Sequence, residues 1–238
     1  MKILSTEDQE RFSRHISLQD IGVSGQQKLK NARVLVIGTG GLGSPLIIYL
    51  AAAGVGCLGL VDDDVVSLSN LQRQVLYTTA QVGQKKVEVA AQRIKDLYPE
   101  IEVQSYDSRL TADNASELIG AYDIVVDCSD NYATRTLIGS VSSELDKPLV
   151  YASVLNYEGQ LTVFNFNNGP SFKQLYPSVP KDGIYKTEDI GLVGVLPGIT
   201  GSLQANEVLK IITGYGEVLS GKLLVFSIDK NRFQVFKY

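Results

Sequence analysis

Between Val34 and Arg73 the sequence reads VLVIGTGGLGSPLIIYLAAAGVGCLGLVDDDVVSLSNLQR, and no other stretch narrows the possible folds so far. An apolar run from Val34 to Ile37 stops at Gly38, glycines follow at 40, 41 and 43, and from Ser44 the apolar residues return at helical spacing. That order reads as strand, glycine turn, helix. The spacing of Gly38, Gly40 and Gly43 permits a tight turn with close backbone approach, and the free N–H groups of the following helical turn suit a phosphate. A second apolar run, Cys57 to Val61, ends in Asp62, Asp63 and Asp64. Asp62 falls where such folds place a carboxylate on a ribose hydroxyl. The same spacing serves dinucleotide oxidoreductases, other nucleotide binders, or simply the close packing of a helix on a strand.

The residues that follow favour a polyphosphate. Ser69, Asn70, Leu71, Gln72 and Arg73 come after the acids, and Gly83 and Lys86 open another amphipathic helix. An Arg and a Lys aimed at one pocket serve a triphosphate better than a neutral nicotinamide.

The remaining chain extends this pattern. Residues 6–30 begin with a capping pattern, Thr6 to Gln9, and predict a short helix, a turn around Gly22 to Gly25 and a second helix. Arg11 and Arg14 stand one helical turn apart, either reaching out together or forming a solvated face. A helix is expected from Gly83 to Tyr98, a strand from Ile101 to Tyr106 and a short helix from Ala112 to Ile119. The segment YDIVVDCSDN, 122–131, repeats the opening logic: an apolar strand runs into Ser129, Asp130 and Asn131 before a helix starts at Tyr132. Open α/β sheets bind ligands at the carboxyl ends of their strands, so Asp130 is a candidate for the pocket of Gly41 and Asp62. It is equally suited to cap the helix.

Residues 148–153 predict a further buried strand, and Gly159 to Phe166 alternates in the antiparallel manner. Asn167 to Pro197 has no sustained period, the mark of a functional cover or a mobile segment. Gly198 to Ile212 reads as a helix and residues 223–238 as a hairpin turning at Asp229 to Asn231. The expected fold is therefore α/β and Rossmann-like. A mostly parallel central sheet carries helices on both faces and is continued by antiparallel strands toward the C-terminus.

Composition bounds the partners. At 238 residues and 44% hydrophobic, the chain can build one substantial domain. Its 22 Lys and Arg against 26 Asp and Glu, with no basic block, speak against nucleic acid and anionic membranes. No apolar stretch approaches the roughly 20 residues of a membrane span, and Met1 to Glu10 lacks a signal-peptide core, so a cytoplasmic protein is expected. Cys57 and Cys128 read as small buried hydrophobes; with no CxxC and a single histidine, His15, no Cys/His zinc site is expected.

With these residues in place, the sequence resembles the ThiF/MoeB/HesA adenylyltransferases that activate ubiquitin-like sulfur carriers, relatives of the adenylation domains of ubiquitin-activating enzymes. The resemblance runs from about residue 7 to 228 and rests on RFSRHISL, GTGGLGSP, the VDDD run with SNLQRQ, GQKK, DCSDN and GVLPGITGSLQANEVLKIITG, in that order. It implies a single adenylation domain over residues 1–238. N-terminal helices (1–31) would precede a nucleotide-binding core (32–153) and an antiparallel extension with crossover loop, helix and hairpin (154–238).

The chemistry implied is attack of a carrier's C-terminal carboxylate on the ATP α-phosphate, giving an acyl adenylate and pyrophosphate. By resemblance, the loop of Gly38, Gly40, Gly41 and Gly43 lies against the nucleotide, and Asp62 holds the ribose with Asp64 as a further pocket acid. Asn70, Arg73 and Lys86 meet phosphates; Ser69, Leu71, Gln72 and Asn131 complete the site; Asp130 holds Mg²⁺. Arg14 matches an arginine that crosses from the other subunit of a homodimer. The implied partner is a small β-grasp protein ending in Gly-Gly, of the thiamin or molybdopterin pathway; general frequency tilts toward thiamin.

Two departures stand out. The CxxC pairs that hold zinc in many relatives are absent, one of them near Ser171 to Gln174, and Thr187 occupies about the place of the sulfur-transfer cysteine. A threonine cannot supply the thiolate for a thioester or acyl disulfide, so adenylation without a covalent intermediate on this loop is expected. Two other functions stay open: an NAD-dependent oxidoreductase, resting on the glycine spacing and Asp62 alone, and a non-catalytic scaffold that binds a carrier.

Overall fold

The computed structural model describes residues 2–178 and 191–238. Within them, β1 (Arg33–Ile37), β2 (Cys57–Val61), β3 (Glu102–Tyr106), β4 (Ile124–Asp127) and β5 (Leu149–Leu155) are joined in parallel. The strands β6 (Glu158–Phe164), β7 (Lys222–Ser227) and β8 (Arg232–Lys237) follow antiparallel. The eight strands form one sheet in the order β3-β2-β1-β4-β5-β6-β7-β8. Strand order reverses between β1 and β4, which opens a crevice at their carboxyl ends.

Both faces of the parallel half are covered along β1, β2 and β4, which is why these strands read as apolar runs, while the edge strand β3 keeps polar residues. Successive side chains of β1 point to opposite faces. Val34 and Val36 join Leu46, Leu50, Ile94 and Val208 on one side, while Leu35 and Ile37 join Ile119, Val125, Ile138 and Phe164 on the other. The first side is roofed by α4 (Gly43–Ala52), α5 (Lys86–Leu97) and α9 (Val195–Thr213), the second by α6 (Ala115–Gly120), α7 (Tyr132–Glu144) and α8 (Phe172–Leu175). The fold class expected from the sequence is the one observed.

The differences lie at element ends. Ser5, not Thr6, caps α1 (Thr6–Arg11), because Ser5 and Asp8 exchange side-chain and backbone bonds of 3.1 and 2.8 Å. The chain then breaks at buried Phe12, whose ring meets Tyr98 edge-on at 5.6 Å. Arg11 and Arg14 thus belong to separate helices, α1 and α2 (Ser13–Ile16). Arg11 does not reach out with Arg14: it lies over the Tyr98 ring at 5.4 Å and donates to the Leu97 carbonyl at 3.1 Å.

Gly22 to Gly25 is no turn but the first part of α3 (Gly22–Asn31), since Gly25 lets that helix close on Ile21 and on Thr213 of α9. α5 starts at Lys86 rather than Gly83, which turns at φ +89. Asn114 binds back to the Thr111 amide at 2.8 Å and delays α6. α9 begins at Val195, before the expected Gly198, with Pro197 in its first turn, where a missing N–H costs no helical bond. At Ser171 to Gln174 a capped helical turn drives Phe172 into Tyr151, Phe164 and Tyr176. Among the described residues, no helix is long and apolar enough to cross a membrane.

Candidate nucleotide site

A cleft of ≈ 840 Å³ opens over the carboxyl ends of the parallel strands. Its floor is the glycine turn, where the four glycines divide their work. Gly38 turns at φ +96 directly under the Cys128 carbonyl, and a Cβ on Gly43 would collide with the Gly38 carbonyl. These two therefore close α4 onto β1 and β4. Gly38, Gly40 and Gly41 line the cleft, whereas Gly43 sits behind it.

Asp62 stands at the end of β2, half-buried. Its Oδ2 accepts from the Thr39 amide (2.7 Å) and hydroxyl (2.9 Å), and its Oδ1 from the Asp64 amide (3.0 Å). Thr39 is held in turn by the Tyr77 hydroxyl, 2.8 Å from its carbonyl. Burial pushes the Tyr77 hydroxyl far up, so it stays protonated as a donor. Asp62 Oδ1, which accepts one bond, keeps acceptor capacity for a ligand hydroxyl. The Thr39–Tyr77 support had no signal in the glycine spacing, where Thr39 is only an unspecified position.

Lys86 is 3% exposed, yet its ammonium reaches the cleft and meets Asp64 at 2.8 Å. Arg73 lies beside Gly41 and donates to the Ser69 carbonyl at 3.3 Å. Ser69, Asn70 and Gln72 share this wall, part of it the short 3₁₀ turn Leu68–Asn70. Leu71 packs against the core instead and does not line the cleft.

On the opposite wall, Asp130 is exposed to the cleft and Asn131 caps α7, its Oδ1 accepting from the Thr134 amide at 2.9 Å. The cap role left open for Asp130 thus falls to its neighbour. The structure brings Gly38, Gly40, Gly41, Asp62, Asp64, Ser69, Asn70, Gln72, Arg73, Lys86, Asp130 and Asn131 around one cavity. Arg14 is exposed on α2 and does not line the cleft of its own chain.

Sequence reasoning missed Gln74, Arg109, Asp127 and Arg135. Gln74 is buried at the rim with its Oε1 unpartnered, and Arg109 pairs with Asp63 at 3.3 Å. Asp127 is wholly buried at the end of β4, and Arg135 follows the cap Asn131 by one helical turn. Burial pushes the Asp127 carboxyl up, while the Arg135 charge and Ser129 donors pull it back.

The cleft's metal-binding options are carboxylates. Asp62, Asp63 and Asp64 have oxygens within 4.8 Å of one another, and Asp130 faces them across the cavity. Such oxygen donors suit Mg²⁺. Cys57 and Cys128 are free and buried, and burial raises both thiols. His15 is occupied on the N-terminal helices by Gln26, 3.1 Å from its Nδ1. Thr187 and the heart of the crossover loop lie outside the described residues.

Comparison with known proteins adds to this geometry. The sequence matches the ThiF family over residues 12–238. It is 47% identical over 232 residues to "Adenylyltransferase and sulfurtransferase MOCS3" of Danio rerio, covering 97% of this chain and 50% of that protein. It is 41% identical over 238 residues to "Probable molybdopterin-synthase adenylyltransferase" of Porphyra purpurea, covering 98% of this chain and 62% of that one. The chain thus spans about half to three-fifths of the length of these relatives. Among solved structures, that of PaaA superposes with a TM-score of 0.85 at 27% identity, covering all of this chain and 75% of that one.

Proposed function

The chain belongs to the ThiF family, and from that premise we propose that it adenylates the C-terminal glycine carboxylate of a small ubiquitin-like sulfur carrier, using ATP. The name of the Porphyra purpurea relative favours molybdopterin over thiamin, which rested on frequency alone. The observation that carries the reading is the convergence of Arg73, Lys86 and Asp130 on one cleft above Gly41.

A carboxylate attacks a phosphate only when charge on both is offset, so positioning and electrostatics dominate the step. In this reading Asp62, fixed by Thr39, takes the ribose hydroxyls, and Gly40 and Gly41 leave room for the phosphates. Arg73 offers a planar fork to phosphate oxygens, and Lys86 offers an ammonium whose desolvation is already met by the fold. Ser69, Asn70, Gln72 and Asn131 supply polar contacts around them. Asp130, an exposed carboxylate facing the acids of β2, is the group that would hold Mg²⁺. Bound there, the ion would offset charge on the phosphates. Two separate buried thiols fit no zinc tetrad, and zinc has no part in the proposal.

The carrier is a β-grasp protein ending in Gly-Gly, and the enzyme works as a homodimer in the cytoplasm. Arg14 of the partner subunit would complete the triphosphate site, in keeping with its exposed place outside its own cleft.

The test is pyrophosphate exchange into ATP in the presence of Mg²⁺ and a cognate carrier. Carrier-dependent exchange is expected, and Asp130→Ala should abolish it while the circular dichroism spectrum is kept. Absence of exchange with every Gly-Gly carrier of the organism would refute the reading.

A further inference from the structure

Asp130 sits on a four-residue connection, Cys128 to Asn131, where its own carboxylate accepts one long bond, from Asn131 Nδ2 at 3.5 Å, and its neighbours are held more tightly. The Ser129 amide and hydroxyl donate to Asp127 Oδ1 at 2.9 and 2.6 Å. Arg135 Nη2 donates to the Ser129 carbonyl at 2.9 Å. Gln204 of α9 holds the Asp127 carbonyl at 2.8 Å from behind. Asn131 is fixed by its cap bond to Thr134.

The Arg135 side chain is expensive to place there. Its Nε is buried without a partner, and so is Asp127 Oδ2. An orphan donor and an orphan acceptor of opposite charge thus flank one turn. Buried charge of this kind is not explained by stability, since well-packed apolar residues serve that better. The Arg135 guanidinium carbon lies over two rings, 5.9 Å from the centroid of Tyr132 and 5.7 Å from that of Tyr151. Tyr151 is itself wedged between Phe164, Phe172 and Tyr176. A lysine in this place would keep the charge and lose the oriented fork.

We propose that Arg135, bonded to the Ser129 carbonyl and lying over the Tyr132 and Tyr151 rings, is a positioning residue that presents the Asp130 carboxylate to the divalent cation of the bound nucleotide. Arg135 itself lines the cleft, and in this proposal it acts on Asp130 through its bond to the Ser129 carbonyl. The inference rests on the adenylation reading and makes Asp130 the end of a braced unit rather than an isolated acid.

The test measures Mn²⁺ binding by electron paramagnetic resonance to the full chain with a non-hydrolysable ATP analogue, alongside analogue binding in EDTA. Groups that orient a metal-binding residue are worth about 10- to 100-fold in metal affinity. Arg135→Met should weaken Mn²⁺ by about that factor, with metal-free analogue binding held within about twofold. Combined with Asp130→Asn it should add less than about twofold, because residues acting as one unit are not additive. Arg135→Lys should fall between wild type and Arg135→Met, and it carries the test if the methionine variant fails to fold. Unchanged Mn²⁺ affinity in a folded Arg135→Met protein, wild-type affinity in Arg135→Lys, or a full additive loss in the double variant would overturn the proposal. The measurement needs no carrier, so absent exchange in wild type would count against the adenylation reading and not against the brace.

Discussion

Among the described residues two lysines are buried, and they are answered in different ways. Lys30, below the sheet, has a side chain 8% exposed and meets two carboxylates, Asp8, itself 2% exposed, and Glu100 at 3.0 Å. The Tyr98 hydroxyl adds a bond to Asp8 at 2.9 Å. Lys86, above the sheet, has a side chain 4% exposed and meets one carboxylate, Asp64, which is 64% exposed. The lower charge is met inside the protein by Asp8, with the half-exposed Glu100 beside it. The upper one is desolvated on the protein side and open on the cleft side, the arrangement a polyphosphate completes. A closed network fastens the N-terminal helices to the sheet; an open one is poised for a ligand.

Substitutions at the two lysines should therefore separate stability from activity. Lys30→Met strands the buried Asp8, and breaking a buried pair in this way costs about 3–5 kcal/mol. Urea unfolding should show that loss while the exchange rate per folded molecule stays within about twofold. Lys86→Met should do the converse. Removing one stabilising donor from a reacting charge typically lowers turnover about 100- to 1000-fold, or about 2.7–4 kcal/mol. The melting temperature should move little. If Lys86→Met lowers stability as much as Lys30→Met and leaves the exchange rate per folded molecule near that of wild type, the contrast between the two sites is false.

Acid sharpens the same contrast. Burial alone would raise the Asp8 carboxyl, but the Lys30 ammonium, with the Ser5 and Tyr98 donors, outweighs it and holds it at about 2. A carboxylate lowered on folding stabilises the protein above its ordinary value of 3.8. That stability is lost as pH falls toward about 2. Asp8→Asn should flatten this acid limb in pH-dependent unfolding. A limb as steep as that of wild type would place the acid sensitivity elsewhere.

What the sequence made legible follows from the physics of each part. The β1–α4–β2 unit was readable because strands buried on both faces carry continuous apolar runs and the helix switches the period. Arg73, Lys86 and Asp130 were readable because charge at the end of an apolar run is conspicuous. Thr39, Tyr77, Asp127 and Arg135 were not, since they act through backbone amides and carbonyls that leave no residue pattern. Arg11 looked like Arg14 by spacing, and only the break at Phe12 turned it onto Tyr98. The start of α9 was hidden by Pro197 and Gly198, residues that read as loop and serve here as a helix's first turn.

The account depends on where a nucleotide lies, and a crystal structure with Mg²⁺ and a non-hydrolysable ATP analogue measures this directly. The expected complex has the triphosphate above Gly41 between Arg73 and Lys86, the ribose on Asp62 and the cation on Asp130. A nucleotide bound elsewhere, or in this cleft with Arg73 and Lys86 turned from its phosphates, would contradict it.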